Sequence, residues 1–301
     1  MPSTRQLTSS IPGRLALFGA ALVALFALGV AAGRAIEPAA PGADASAEGG
    51  MAGHGSAGEG AGHAGSGDHG GAGEGQSAHG LTAAQNGLRL VPLSRELPLG
   101  ATRPLRFRIV DAEGDPVRRF DILHTKRMHV ILARSDLTGF QHLHPRLGAD
   151  GTWTTPVRFE TPGAYRLFAD FSHDGTATTL AANLAVDGSA EPVPLPDPSP
   201  TATSGGGYEV KLSGAPAHAG AETELRFAVS RGGHPVATEP YLGAGGHLVA
   251  LREGDLAFLH VHPIESIAFA ATFPTAGSYR LFLQFKVDGR VETVAFTKEV
   301  E

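Results

Sequence analysis

The chain has 301 residues, 42% hydrophobic and 18% charged, with a formal net charge of −6 and no cysteine. A chain of this length holds about two domains. The missing cysteines exclude disulfides, thiolate metal sites, Cys nucleophiles and type-1 blue copper. The acidic balance, without a basic stripe interleaved with aromatics, excludes a nucleic-acid footprint.

In chain order, the first predicted element is apolar. Arg5 and Arg14 precede an uninterrupted run, Leu15 to Gly33, closed by Arg34. Its 19 residues would span about 28 Å as a helix, one bilayer core. Secretory h-regions are shorter, about 7–15 residues. The expectation for residues 1–36 is therefore an uncleaved, single-pass signal anchor in the cell membrane. Cleavage near Val30-Ala31-Ala32, with secretion, is the alternative. Arg5 and Arg14 on one side, against Glu37, Asp44 and Glu48 on the other, orient the N-terminus inward and the rest of the chain to the extracytoplasmic side.

Residues 37–86 are low in complexity, built of Gly, Ala, Ser and a few acids with His54, His63, His69 and His79. They lack the aromatic and β-branched residues of a core, and a disordered Gly/His-rich tether is expected. Its histidines are either loose metal ligands or polar members of a solvated spacer.

From Leu88 onward, short apolar or alternating runs are separated by turn residues such as DAEGD, SDLTG and GADG. Such spacing predicts an all-β fold of sandwiches or barrels, with seven or eight strands per domain. The second half repeats the first. LRFRIV (105–110) matches LRFAVS (225–230), HVILAR (129–134) matches HLVALR (247–252), and FETPGAYRLFADF (159–171) matches FPTAGSYRLFLQF (273–285). A Pro- then Gly-rich linker over 189–205 separates repeat 1 (87–188) from repeat 2 (206–301). Gly163-Ala164-Tyr165 and Gly277-Ser278-Tyr279 each open a late strand, where immunoglobulin-like sandwiches carry a tyrosine corner. Two tandem Ig-like β-sandwiches are expected.

The chemistry-bearing motif is F-x-H-x-H-P, present as FQHLHP (140–145) and FLHVHP (258–263). Residues two apart in a strand share a face, so His142 projects with His144, and His260 with His262. His129 precedes His142 by 13 positions and His247 precedes His260 by 13, with hairpin-type turns between. Folding each hairpin places three imidazoles on one patch, His129/His142/His144 in repeat 1 and His247/His260/His262 in repeat 2. Neutral imidazole suits a divalent metal; Cu(II) is favoured by the general affinity order, with Zn or Ni also accommodated. Proton competition should weaken binding below about pH 6.5. His124 is a candidate fourth ligand in repeat 1, with Tyr241 or Leu242 at the corresponding place in repeat 2. The alternative is that the histidines are hydrogen-bonded scaffolding inherited through duplication.

Asp136 and Asp255 are expected as turn formers. Arg134 and Arg252 pair with them as surface contacts of little energy, and Trp153 packs in a core. H-x-H followed by Glu265 is close to the first metal motif of cupins, but the acid spacing differs and no second motif follows. No G-x-S-x-G, H-E-x-x-H or phosphate loop occurs in the folded halves. No catalytic residue is assigned, and an enzyme is not expected.

KRMHVILARSDLTGFQHLHP and YLGAGGHLVALREGDLAFLHVHP resemble a group of bacterial exported or membrane-anchored proteins carrying H…DL-x-x-F-x-H-x-H-P, described as heavy-metal- or copper-associated. They are similar to extracytoplasmic Ig-like copper-resistance modules, without the N-terminal histidine ligand and Met-rich loop of those modules. The resemblance covers about 87–301. It implies a membrane-anchored envelope protein that buffers or delivers metal. An envelope interaction module with a protein partner is the second expectation, and a cupin-type metal enzyme the third.

Overall fold

A computed structural model describes residues 79–259 and 261–301. Among them there is no helix, and so none long and apolar enough to cross a membrane. The apolar run Leu15–Gly33 and the tether before residue 79 lie outside the described residues.

Repeat 1 forms β1 (Ala84–Gln85), β2 (Leu88–Pro92), β3 (Glu96–Leu97), β4 (Arg103–Val110) and β5 (His129–Arg134). It continues with β6 (Gln141–Leu143), β7 (Arg146–Leu147), β8 (Trp153–Val157), β9 (Gly163–His173) and β10 (Thr176–Val186). Repeat 2 forms β11 (Thr201–Thr203), β12 (Glu209–Ser213), β13 (Glu222–Arg231), β14 (His234–Pro235) and β15 (His247–Arg252). Then follow β16 (Phe258–Leu259), β17 (His262–Glu265), β18 (Ala268–Thr272), β19 (Gly277–Val287) and β20 (Arg290–Val300). The part of the linker expected to be irregular contains β11, an edge strand on β12. Repeat 1 starts earlier than expected, at β1.

Each repeat is a two-sheet β-sandwich. In repeat 1 the sheet β1-β2-β4-β8-β7 faces the sheet β3-β10-β9-β5-β6. In repeat 2, β11-β12-β13-β18-β17 faces β16-β15-β19-β20. The sheets are open, with edge strands, rather than closed into the barrel that a cupin site requires. Leu105, Phe107, Val130, Leu132 and Phe171 are among the residues filling the first interior, with Trp153 stacked on Phe107 at 6.5 Å. Val210, Leu225, Ala250, Leu281 and Phe285 are among those filling the second. The tyrosine corner is present in both: Tyr165 Oη donates to the Thr161 carbonyl (2.9 Å) and Tyr279 Oη to the Thr275 carbonyl (3.0 Å).

Strand chemistry explains what lies outside each sandwich. β13 (ETELRFAVSR) alternates exposed and buried positions over most of its length, as a strand with one wet face must. β5 (HVILAR) is buried at every position. Its even members Val130 and Leu132 enter the repeat 1 interior, while Ile131 and Ala133 point outward into a third apolar layer. Val249 and Leu251 of β15 and Phe282 of β19 meet them there from repeat 2. The two sandwiches therefore pack face to face through β5/β9/β10 and β15/β19. The contact is reciprocal, as a pseudo-twofold relation demands. Phe140 stacks on Phe282 (4.1 Å, 7°), and its counterpart Phe258 packs on Phe168 (5.7 Å).

The entering chain joins the same boundary. His79 exchanges backbone hydrogen bonds with Phe258 (3.2 and 2.9 Å), and the Gly80 N–H bonds the Thr179 carbonyl (3.2 Å). Gly80 has φ +67°, and a Cβ there would stand 2.7 Å from the Phe168 ring, so glycine is required. The expected surface pair Arg134–Asp136 proves buried, at 2.8 Å with side chains 4% and 7% exposed. The linker covers it, because Arg134 also donates to the carbonyls of Ala190 and Glu191 (2.8 and 3.1 Å).

Candidate metal centre

Pleat and register bring the histidines together. His129 opens β5 on the face shared with Ile131 and Ala133, the face turned toward repeat 2. His142 on β6 is register-paired with Ile131, so it lies on that same face. His144 follows two residues later, just after β6 ends. One ring nitrogen from each of His129, His142 and His144 lies within 4.8 Å of the others. Among the described residues this is the one set of that kind.

Repeat 2 supplies the next ring. His247 opens β15 on the face that meets repeat 1. Its ring stacks on His142 at 4.6 Å and on His129 at 5.5 Å. His124, in a turn at φ 47°, places its ring 6.1 Å from His129 and 5.9 Å from His247. The expected fourth ligand of repeat 1 is thus at the cluster's margin. The corresponding Leu242 repeats the turn, with φ 54°.

Of the expected second group, His247 and His262 are among the described residues. His247 joins the cluster of repeat 1. His262 is exposed and opens β17, in the opposite sheet of its sandwich, paired with Ala270. His262 is thus a strand residue, whereas His144 stands between β6 and β7. His260 lies outside the described residues.

The hydrogen bonds define which nitrogens are available. His129 Nε2 lies 3.0 Å from the Leu123 carbonyl, which only an Nε2–H can satisfy. That leaves a lone pair on Nδ1 of the neutral ring. His142 Nδ1 lies 2.6 Å from Gln284 Oε1, while Gln284 Nε2 donates to Thr293 Oγ1 at 3.2 Å. With the amide so placed, His142 carries its proton on Nδ1 and a lone pair on Nε2. His129 Nδ1 and His142 Nε2 stand 3.0 Å apart, and in these tautomers both would be lone pairs. A proton or a cation belongs between them. His144 Nε2 is also buried and makes no hydrogen bond among the described residues. At metal–nitrogen distances of about 2.0–2.1 Å, two ligand nitrogens stand about 3.3 Å apart in a tetrahedral site, and about 2.9 Å as square-planar neighbours. The His129–His142 pair already has this spacing; closing on an ion would draw His144 inward.

Burial keeps these rings neutral. It holds His129 at about 3, where the Leu123 bond opposes it and His142 and His124 add repulsion. Burial likewise holds His142 at about 4 against the Gln284 bond, and His144 at about 4 with repulsion from His129 and Lys126. His247 is pushed well below the usual range by burial and then by its neighbouring imidazoles. Free imidazole would instead protonate near pH 6.5. Protons would compete for these nitrogens only well below pH 6.5. A group of three neutral imidazoles with this spacing could hold a metal ion.

Sequence reasoning missed the polar residues behind the cluster. Asp170 on β9 is register-paired with His129, is buried, and accepts from Thr179 Oγ1 at 2.7 Å. Burial raises its carboxyl to about 6. Gln284 and Thr293 are the matching pair in repeat 2, with Gln284 opposite His247. The signal was available: FAD-F and FLQ-F interrupt otherwise apolar strands with a polar residue at the same place in both repeats.

Comparison with known proteins places the chain. A family model described as a domain of unknown function (DUF8832) matches residues 83–188 and again 202–301. No curated protein matches the sequence. Among solved structures, the Escherichia coli adhesin FdeC is 14% identical with a TM-score of 0.26, over 72% of this chain and 65% of that one. Escherichia coli alpha-2-macroglobulin activated by porcine elastase is 12% identical with a TM-score of 0.25, over 71% of this chain and 20% of that one. A chimeric titin Z1Z2 tandem is 12% identical with a TM-score of 0.18, over 70% of this chain and 95% of that one. The chain spans less than two thirds of the adhesin and of the macroglobulin. The chain belongs to the DUF8832 family and carries its domain twice.

Proposed function

We propose that this chain is a metal-binding protein, not an enzyme, that buffers or delivers a divalent ion through His129, His142 and His144. The ion favoured is Cu(II), with Zn(II) and Ni(II) next, because the donors are neutral imidazoles with no thiolate among them. Each repeat is read as an immunoglobulin-like sandwich, on the strength of its tyrosine corner. The apolar run Leu15–Gly33 is proposed to anchor the chain in the cell membrane, with the sandwiches on the extracytoplasmic side. Their kinship with copper-associated envelope proteins rests on the shared H…DL-x-x-F-x-H-x-H-P motif.

The single observation that carries metal binding is the close approach of His129 Nδ1 and His142 Nε2, 3.0 Å apart, with a His144 ring nitrogen within 4.8 Å of each. Calorimetric titration of the full chain with Cu(II) and with Zn(II) tests it. The expected result is one tight site, micromolar or better, that is lost in His129→Ala and His142→Ala variants. Weaker uptake by the tether histidines would survive those changes. Tight binding unaltered in both variants would end the proposal.

One observation favours a second reading, a hydrogen-bonded scaffold at an envelope interaction module. The Leu123 carbonyl engages His129 as a purely structural histidine would be engaged. On that account neither metal binds tightly, and His142→Ala acts only by lowering the stability of the metal-free protein.

A further inference from the structure

The metal ligands come from repeat 1, yet the group that sets their protonation comes from repeat 2. Gln284 lies on β19, is 7% exposed, and touches His142 across the boundary between the repeats. Its amide has two orientations with opposite consequences. With Oε1 on His142, the ring keeps its proton on Nδ1 and presents Nε2 as a lone pair. Turned over, the amide donates to His142 Nδ1 and accepts from Thr293. The ring proton then moves to Nε2 and is donated to His129 Nδ1. That closes an unbroken chain of neutral hydrogen bonds from Thr293 through Gln284, His142 and His129 to the Leu123 carbonyl. The first arrangement offers donors to an ion; the second consumes them.

We propose that Gln284 is the positioning residue that selects between these states, so that metal uptake by the triad of repeat 1 is governed from repeat 2. This rests on the metal-binding function proposed above. Its counterpart in repeat 1 is a carboxylate, Asp170, which accepts from Thr179 at 2.7 Å. That pair is the internal precedent for a Gln284→Glu variant: a carboxylate fits beside the threonine hydroxyl at this place in the strand. A carboxylate only accepts when ionised. Glutamate would therefore hold His142 in the Nδ1–H form and bar the closed chain. Partners of this kind behind a ligating histidine change affinity by about 10–100-fold.

The test uses the full chain and three proteins: wild type, Gln284→Glu and Gln284→Leu. Each is titrated with Zn(II) against a chromophoric chelator, and the metal-free folds are compared by circular dichroism. Nitrogen-15 NMR reads the His142 tautomer in the metal-free and Zn(II)-loaded states. Gln284→Glu is expected to tighten Zn(II) by about tenfold and to show the Nδ1–H tautomer without metal. Gln284→Leu is expected to weaken Zn(II) by about 10–100-fold. A role in packing alone would move both variants the same way. Wild-type binding with both variants within about twofold of it overturns the proposal and leaves the metal site standing. Absence of tight Zn(II) binding in the folded wild type overturns both. Should the leucine variant fail to fold, the near-isosteric glutamate variant decides alone: tighter binding supports the proposal and unchanged binding overturns it.

Discussion

At the scale of single residues, the histidines owe their properties to burial more than to identity. An unfolded chain protonates each imidazole near pH 6.5. Folded His129 and His142 do so only near 3 and 4. Between these values the unfolded state binds more protons, so the stability is complete above about pH 6.5 and is lost as the pH falls toward 4. Each such ring adds on the order of 1.4 kcal/mol per pH unit to the loss. Urea unfolding of the metal-free chain at pH 7.5, 6 and 5 should show the free energy falling steadily, and more shallowly in His129→Ala. A flat profile over that range would mean that the rings are solvated. The sequence made His129, His142 and His144 legible as a group through strand pleat and hairpin length. It could not reveal that Gln284 completes the network, because that contact joins residues 142 positions apart in different repeats.

At the scale of elements, β5 explains why pleat alone left its outward face undecided. HVILAR is apolar on both sides because both sides are covered, one by the sandwich interior and one by repeat 2. The phenylalanine of F-x-H-x-H-P belongs to this covering layer: Phe140 on Phe282 and Phe258 on Phe168. Stacked aromatic pairs contribute about 0.5–1.5 kcal/mol beyond area burial. A double-mutant cycle of Phe140→Ala and Phe282→Ala, read by urea unfolding, should give a coupling of about 1 kcal/mol. Additivity within error would show that the faces do not pack. The duplicated strands, the tyrosine corners and the hairpin turns were readable because each is local. The fate of His262 was not. Its pattern matches His144, and both chains cross to the opposite sheet, but β17 begins at His262 itself whereas β7 begins two positions after His144, and no short-range signal announces that shift.

At the scale of the whole molecule, duplication gave two copies of one domain. It yielded two faces that pack on each other, and the described histidine cluster lies where they meet. Repeats joined through a buried apolar layer should unfold together, so scanning calorimetry should show one transition for residues 79–301 rather than two. Metal binding only the folded state should raise that transition, by about 2.7 kcal/mol of stability at a free ion concentration 100 times Kd. A transition that splits, with metal shifting only one part, would mean that the sandwiches are independent. The central claim is one ion held by repeat 1 at its contact with repeat 2. Anomalous scattering from a crystal grown with Cu(II) tests it most directly. A peak is expected about 2.0–2.2 Å from both His129 Nδ1 and His142 Nε2, with His144 drawn in as the third ligand. A crystal grown with Cu(II) that shows no anomalous peak within bonding distance of those two nitrogens would contradict it.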